Sequence, residues 1–185
     1  MAVGDARRGD PEGARRAELL DELLRYSAEH GLSEVSLRPL AAAVGSSPRV
    51  LLYFFGSKDG LVREVHRHAR REQVRVIDQA LAEDAEPAAA VRALWEWLAD
   101  PAHHNIEKFF FEGFARSLHA TDGPWHGFAA TSVAEWLPRL ISALEGSSAN
   151  PTLILAALRG LLLDLLATGD HERVSAAADE LIRSI

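Results

Sequence analysis

Residues 36–61, SLRPLAAAVGSSPRVLLYFFGSKDGL, set two short apolar patterns on either side of Gly45-Ser46-Ser47, followed by the aromatic run Tyr53-Phe54-Phe55 and a Gly-Ser-Lys. Ser36 is placed to cap a helix whose first turn holds Leu37, Arg38 and Pro39. Proline is tolerated there because first-turn amides have no helical partner. Leu40, Ala41 and Val44 fall on one face, and Gly45 ends the helix in a left-handed turn. Ser47 caps a second helix, with Pro48 at its first position, running to about residue 54. Ser57 caps a long helix reaching about residue 81. Two short helices joined by a glycine-led turn make a helix-turn-helix. The second is too short to stand alone. Leu51 and Phe55 are expected to hold it against its neighbours, which leaves Ser46, Ser47, Pro48, Arg49, Val50 and Tyr53 on its free side.

That free side has the chemistry of a DNA-reading surface. A recognition helix puts its N-terminal residues into the major groove, where Arg49 can fork onto guanine O6 and N7. Arg38, in the first turn of the preceding helix beside Ser36, reaches the groove edge or a phosphate. Ser57, Lys58 and the amides at the start of the long helix form a site for a backbone phosphate. The charge pattern agrees. The net charge is −7, yet residues 36–75 carry eight basic and three acidic side chains, while residues 81–185 carry seven basic and fifteen acidic ones. A basic block precedes an acidic body, so one part is suited to polyanions and the other is not.

Four elements occur together over residues 19–61: a helix ending EHG, the run S-L-R-x-L-A-x-x-V-G-S-S, then L-x-Y-x-F, then G-S-K-x-x-L. In combination they resemble the N-terminal DNA-binding domain of the TetR (tetracycline-repressor type) family of bacterial regulators. The resemblance implies an all-α homodimer with a DNA-binding head and a larger C-terminal body that binds a small ligand. Leu52 departs from the family pattern by taking the place of a usual tyrosine, which comes one position later as Tyr53. Phe54 stands where histidine or tyrosine is common.

The rest of the chain also reads as helical, with expected helices at 15–30, 87–99, 102–119, 124–144, 151–168 and 171–185, separated by Gly, Pro and Asp breaks. No strand pattern and no internal repeat is visible. The division expected is a disordered arm (1–14), a helix-turn-helix domain (15–61) and a ligand-binding and dimerisation domain (62–185). The body is rich in aromatic residues, and apolar, aromatic lining with a few polar groups is typical of small-molecule pockets. Trp95, Phe110, Phe114, Trp125 and Phe128 are the expected ligand-binding residues as a group, although for any one of them taken singly a hydrophobic core is the safer reading. His103, His104, Glu107, His119 and His126 are candidates for the polar minority. The segment PTLILAALRGLLLDLLATG is apolar on nearly every side, and such a helix wants burial on every side. With the last helix it is expected to form a four-helix dimer interface through Leu155, Leu158, Leu162, Leu165, Val174, Ala178 and Leu181, ahead of the other reading, a hairpin within the domain core.

Other classes find less support. The eight histidines make no His-Glu-x-x-His or Glu-x-x-His pattern, so no metal site is expected. No cofactor is expected, for no nucleophile elbow and no phosphate-binding glycine loop appears. There is no cysteine. Arg159 and Asp164 interrupt the longest apolar run, and the charged N-terminus lacks the apolar stretch of a signal peptide, so no membrane partner and a cytoplasmic location are expected. The reading is a ligand-responsive transcriptional regulator, not an enzyme: a repressor released from a palindromic double-stranded DNA operator by a small apolar effector, with an activator using the same DNA head as the other form. The alternative is an all-α enzyme or lipid-type binding protein that keeps the helix-turn-helix as a scaffold.

Overall fold

The computed structural model describes residues 10–30, 32, 35–82, 86–123 and 125–185. The expectations for Gly31, Pro124 and residues 1–9 of the arm lie outside this set. Among the described residues there are nine α-helices, one short 3-10 turn and no strand.

The helix α1 (Pro11–His30) starts four residues earlier than the apolar periodicity predicts. Asp10 explains the early start: its carboxylate accepts the Glu12 amide at 3.1 Å and its carbonyl accepts the Ala14 amide at 3.0 Å, with Pro11 in the first turn. Residues 10–14 of the expected arm are therefore capped helix. Next come α2 (Leu37–Ala43), α3 (Pro48–Phe55) and α4 (Lys58–Ala82). Ser36 occupies the N-cap of α2 in extended backbone, but its side chain makes no capping bond. Ser47 does cap α3, accepting the Val50 amide at 3.3 Å, and Ser57 accepts the Gly60 amide at 2.9 Å at the start of α4. Between α2 and α3 the chain turns through Gly45 at φ +56°, a left-handed conformation that glycine adopts without steric cost.

These helices close on one core. Leu19, Leu20 and Leu23 of α1 meet Leu40 and Val44 near α2, Leu51 and Phe55 of α3, and Leu61, Val62 and Val65 of α4, none more than 7% exposed. Burying each such side chain stabilises by roughly 1.5–3 kcal/mol, which is how an eight-residue α3 is held in place. The same core takes in Phe109, and Trp125 packs on it, so it extends into the body.

The body comprises α5 (Pro87–Ala99), the 3-10 turn Pro101–His103, α6 (His104–Ser117), α7 (Phe128–Ala143), α8 (Pro151–Thr168) and α9 (His171–Arg183). The expected 102–119 helix begins late because Asp100 accepts the Ala102 amide at 2.8 Å and holds a tighter turn first. At the α8–α9 corner Asp170 caps α9 by accepting the Arg173 amide at 3.2 Å, and the Arg173 guanidinium forks onto Asp164 with two contacts of 2.8 Å. That corner is solvent-facing, so the fork orients more than it stabilises.

One face of α8 is buried within the single chain, in the body core. Leu155, Leu158, Leu162 and Leu165, with Val174 and Ala178 of α9, are at most 9% exposed in the body core beside Leu94, Trp95 and Trp136. Leu181 packs partly buried against the same core. A helix apolar all round carries two stripes, and the core takes only one. The other remains outside: Leu153 (62% exposed) and Leu163 (51% exposed), with Ala156, Gly160 and Ala167 exposed between and beyond them at alternating three- and four-residue spacing. By length and composition α8 is also apolar enough to cross a bilayer. Its packing into the body, and the charges of Arg159 and Asp164, make it a core helix.

Candidate nucleic-acid interface and effector cavity

The head exposes most of the side chains singled out from the sequence. Ser36 and Arg38 of the α2 start are exposed, as are Ser47, Arg49 and Val50 at the start of α3 and Ser57 ahead of α4. Ser46, Pro48 and Lys58 are half-buried. Tyr53 is 70% exposed, but its hydroxyl donates to the Glu12 carboxylate of α1, and that bond raises the phenol pKa. A carboxylate beside the phenol repels phosphate, so Tyr53 is tied to α1 in this conformation. Leu52, at 41% exposed, also lies on the open side of α3. Sequence reasoning noted it only as a departure from a family pattern, although an apolar residue displacing a tyrosine at that spacing was the available signal.

In the body, α5, α6, α7 and α8 enclose a narrow cavity of about 40 Å³ lined by Leu94, Leu98, Glu107, Phe110, Phe111, Trp136, Leu155, Leu158, Arg159 and Leu162. At that size it has room for roughly three water molecules. Two charged residues face an otherwise apolar lining. Glu107 is 1% exposed. Arg159 donates to the Ser132 hydroxyl at 2.8 Å, its guanidinium lies 5.2 Å from the Phe114 ring centre and 5.8 Å from that of Phe110, and burial pushes its pKa down.

The five aromatics expected to line one pocket divide among three places. Phe110 lines the cavity, with Phe114 beside it at 5.8 Å. Trp95, 4% exposed, belongs to the body core. Trp125 and Phe128 instead pack around His66 of α4, each 5.4 Å from its ring. A Phe110–Phe128 contact of 5.9 Å joins the two aromatic groups. Of the expected polar minority only Glu107 lines the cavity; His103 stacks on Trp97, and the rings of His104 and His171 stack 5.5 Å apart. Arg159 was legible as a lone arginine in an apolar helix, yet its sequence reading was only that of an interruption.

His66 is 2% exposed and stacks on Phe109 at 3.4 Å. Burial, with a further push from the nearby Arg70 guanidinium, lowers its pKa to about 3, so the ring is neutral at ordinary pH. Among the described residues its Nε2 has no hydrogen-bond partner. It sits at the joint between α4 and the body.

Residues 19–65 match the family model described as bacterial regulatory proteins, tetR family. The segment is similar to the HTH-type transcriptional regulator BetI of Burkholderia thailandensis, 38% identical over 82 residues, covering 43% of this chain and 42% of that protein. BetI of Brucella canis is 31% identical over 83 residues, again 42% of its length. The match thus spans less than half of these curated relatives. Whole-chain similarity appears among solved structures. A transcriptional regulator from Rhodococcus sp. Rha1 superposes with a TM-score of 0.74 at 22% identity, covering 92% of this chain and 95% of that one. The multidrug binding protein EbrR complexed with ethidium gives 0.70 at 25% identity, covering 96% and 100%. Residues 19–65 thus carry the sequence pattern of the tetR family of bacterial regulatory proteins, and the whole chain shares the all-α fold of these solved regulators.

Proposed function

We propose that the protein is a homodimeric repressor that leaves its operator when a small apolar effector enters the body, with residues 15–61 as the DNA-binding domain and 62–185 as the ligand-binding and dimerisation domain. The observation that carries this reading is the exposed start of α3, where Ser47 caps the helix and Arg49 projects beside it within the family-matched segment. Arg49 and Val50 would meet base edges, while Arg38, Ser57 and Lys58 would meet phosphates. Two copies would pair through the outward stripe of α8, Leu153, Ala156, Gly160, Leu163 and Ala167, in place of the stripe already buried. The cavity around Phe110, Trp136 and Arg159 would receive the effector. At about 40 Å³ it must widen to do so, and the likeness to EbrR with its flat aromatic ligand supports an aromatic occupant. By reciprocity, an effector that weakens DNA binding is itself weakened by DNA to the same factor. No enzymatic activity is expected, and the expected setting is the cytoplasm.

Selection of duplex DNA from a random pool by the purified protein tests the reading. The expected product is a pseudo-palindrome with half-sites about one helical turn apart or more, bound with an affinity that falls steeply with salt. A pool that converges on no symmetric motif overturns it.

A further inference from the structure

Arg63, Arg67, Arg70 and Arg71 of α4 face Arg139 of α7 across a groove of about 430 Å³, which His126, Phe128, Thr131 and Glu135 also line. This space is an order of magnitude larger than the effector cavity of about 40 Å³ and lies apart from α3. Five arginines meet one lining carboxylate. Arg70 is bonded to Glu135, Arg67 to Glu64, and Arg139 to Asp78 at 3.3 Å. Among the described side chains, these three carboxylates against five arginines still leave two positive charges. Arg63 and Arg71 are exposed at the rim, and among the described residues no carboxylate approaches either within ion-pair distance.

A solvated arginine stripe spreads its charges outward, whereas here they converge. Arg70 is 8% exposed, and its Nε has no partner among the described residues. Burial, then the neighbouring Arg159, Arg139 and Arg67 guanidinium groups, pull its pKa down to about 10. Gathering like charges in a half-buried cleft is unfavourable unless an anion joins them. Guanidinium forks match phosphate oxygens in pairs. Phe128 adds an apolar platform, its ring centre 6.0 Å from the Arg70 guanidinium, and Thr131 and His126 add hydrogen-bonding groups.

We infer that the α4–α7 groove binds a small phosphorylated organic anion carrying at least two negative charges, its phosphates on Arg63, Arg67, Arg71 and Arg139 and its apolar part against Phe128. This goes beyond the DNA-binding reading and stands without it. Such a ligand would tie α7 to α4, the helix that runs from the head into the body.

The test is calorimetric titration of the full chain with inorganic pyrophosphate, adenosine diphosphate and adenosine. Pyrophosphate and adenosine diphosphate should bind, more weakly as salt rises, and adenosine should not. The double variant Arg63→Gln/Arg71→Gln alters two exposed side chains, and circular dichroism checks that it stays folded. It should weaken both phosphorylated probes by at least roughly tenfold. Lys58→Gln, which removes a cation of the head, should leave their binding in place. The inference is overturned if neither phosphorylated probe binds the unmutated protein at millimolar concentration, or if Lys58→Gln abolishes the binding. It is equally overturned if the double variant loses non-specific duplex DNA while still holding pyrophosphate, which would make the groove a DNA-backbone contact.

Discussion

The imidazole of His66 lies parallel to the ring of Phe109, 3.4 Å between centres and 12° between planes, and so joins α4 to α6 through a face that holds no charge. Trp125 and Phe128 close its other sides. The ring is therefore a packing element until it is protonated.

Acid should loosen this joint. The folded pKa of His66 is about 3 against an ordinary 6.5. Between those values the unfolded chain binds a proton that the folded chain does not, so stability rises with pH across the window and is lost as pH falls through it. The slope from this one group approaches about 1.4 kcal/mol per pH unit. His66→Phe keeps the stack and removes the titration. Urea midpoints measured from pH 7 to 4 should flatten in the variant, and an unchanged slope would show that His66 does not set the acid limb.

Gly60 sits in the first turn of α4, where a Cβ would lie 2.1 Å from the carbonyl oxygen of Phe55. Backbone cannot yield as a flexible side chain can. Gly60→Ala should cost about 1–3 kcal/mol through overpacking and prise α3 from α4. Thermal unfolding reads the loss. A variant as stable as the unmutated protein, with operator affinity intact, would contradict it.

The two stripes of α8 should respond differently to charge. Leu163 is 51% exposed and Leu158 is 2% exposed. Leu163→Glu should yield a folded monomer by light scattering. Leu158→Glu should destabilise the body itself by several kcal/mol, because it buries a carboxylate. If Leu163→Glu remains dimeric, the outward stripe is not the contact between copies.

On DNA, Arg49→Ala should cost roughly 1–3 kcal/mol and relax preference at one base position per half-site, while Lys58→Ala should weaken all sequences alike and lower the salt slope by about one. Fluorescence anisotropy over a salt series separates the two. Equal losses on specific and random duplexes for Arg49→Ala would remove it from the base-reading set.

Helix boundaries were legible where the chain carries chemical punctuation. Pro87 and Pro151 at first-turn positions place α5 and α8 to the residue, and Ser47-Pro48 places α3. Where punctuation misleads, the start slips: α7 begins at Phe128, several residues after the Asp-Gly-Pro break. The aromatic side chains were visible in the sequence, but which neighbour each would meet was not. Phe110 and Phe128 differ in destination because the rotation of α6 and α7 about their axes is a tertiary property. For the same reason composition could not rank the two faces of α8, or foresee that four arginines of α4 would turn toward Arg139 and not toward open water.

Phe109 and Phe110 are consecutive, yet one belongs to the core of the head and the other lines the cavity of the body. The head is thus fastened at two places, by the continuous backbone of α4 and by the aromatic seat on α6. A beam pinned once can swivel, whereas a beam pinned twice cannot. Phe110 and Phe109 thus place the wall of the cavity and the seat of the head on the same turn of α6.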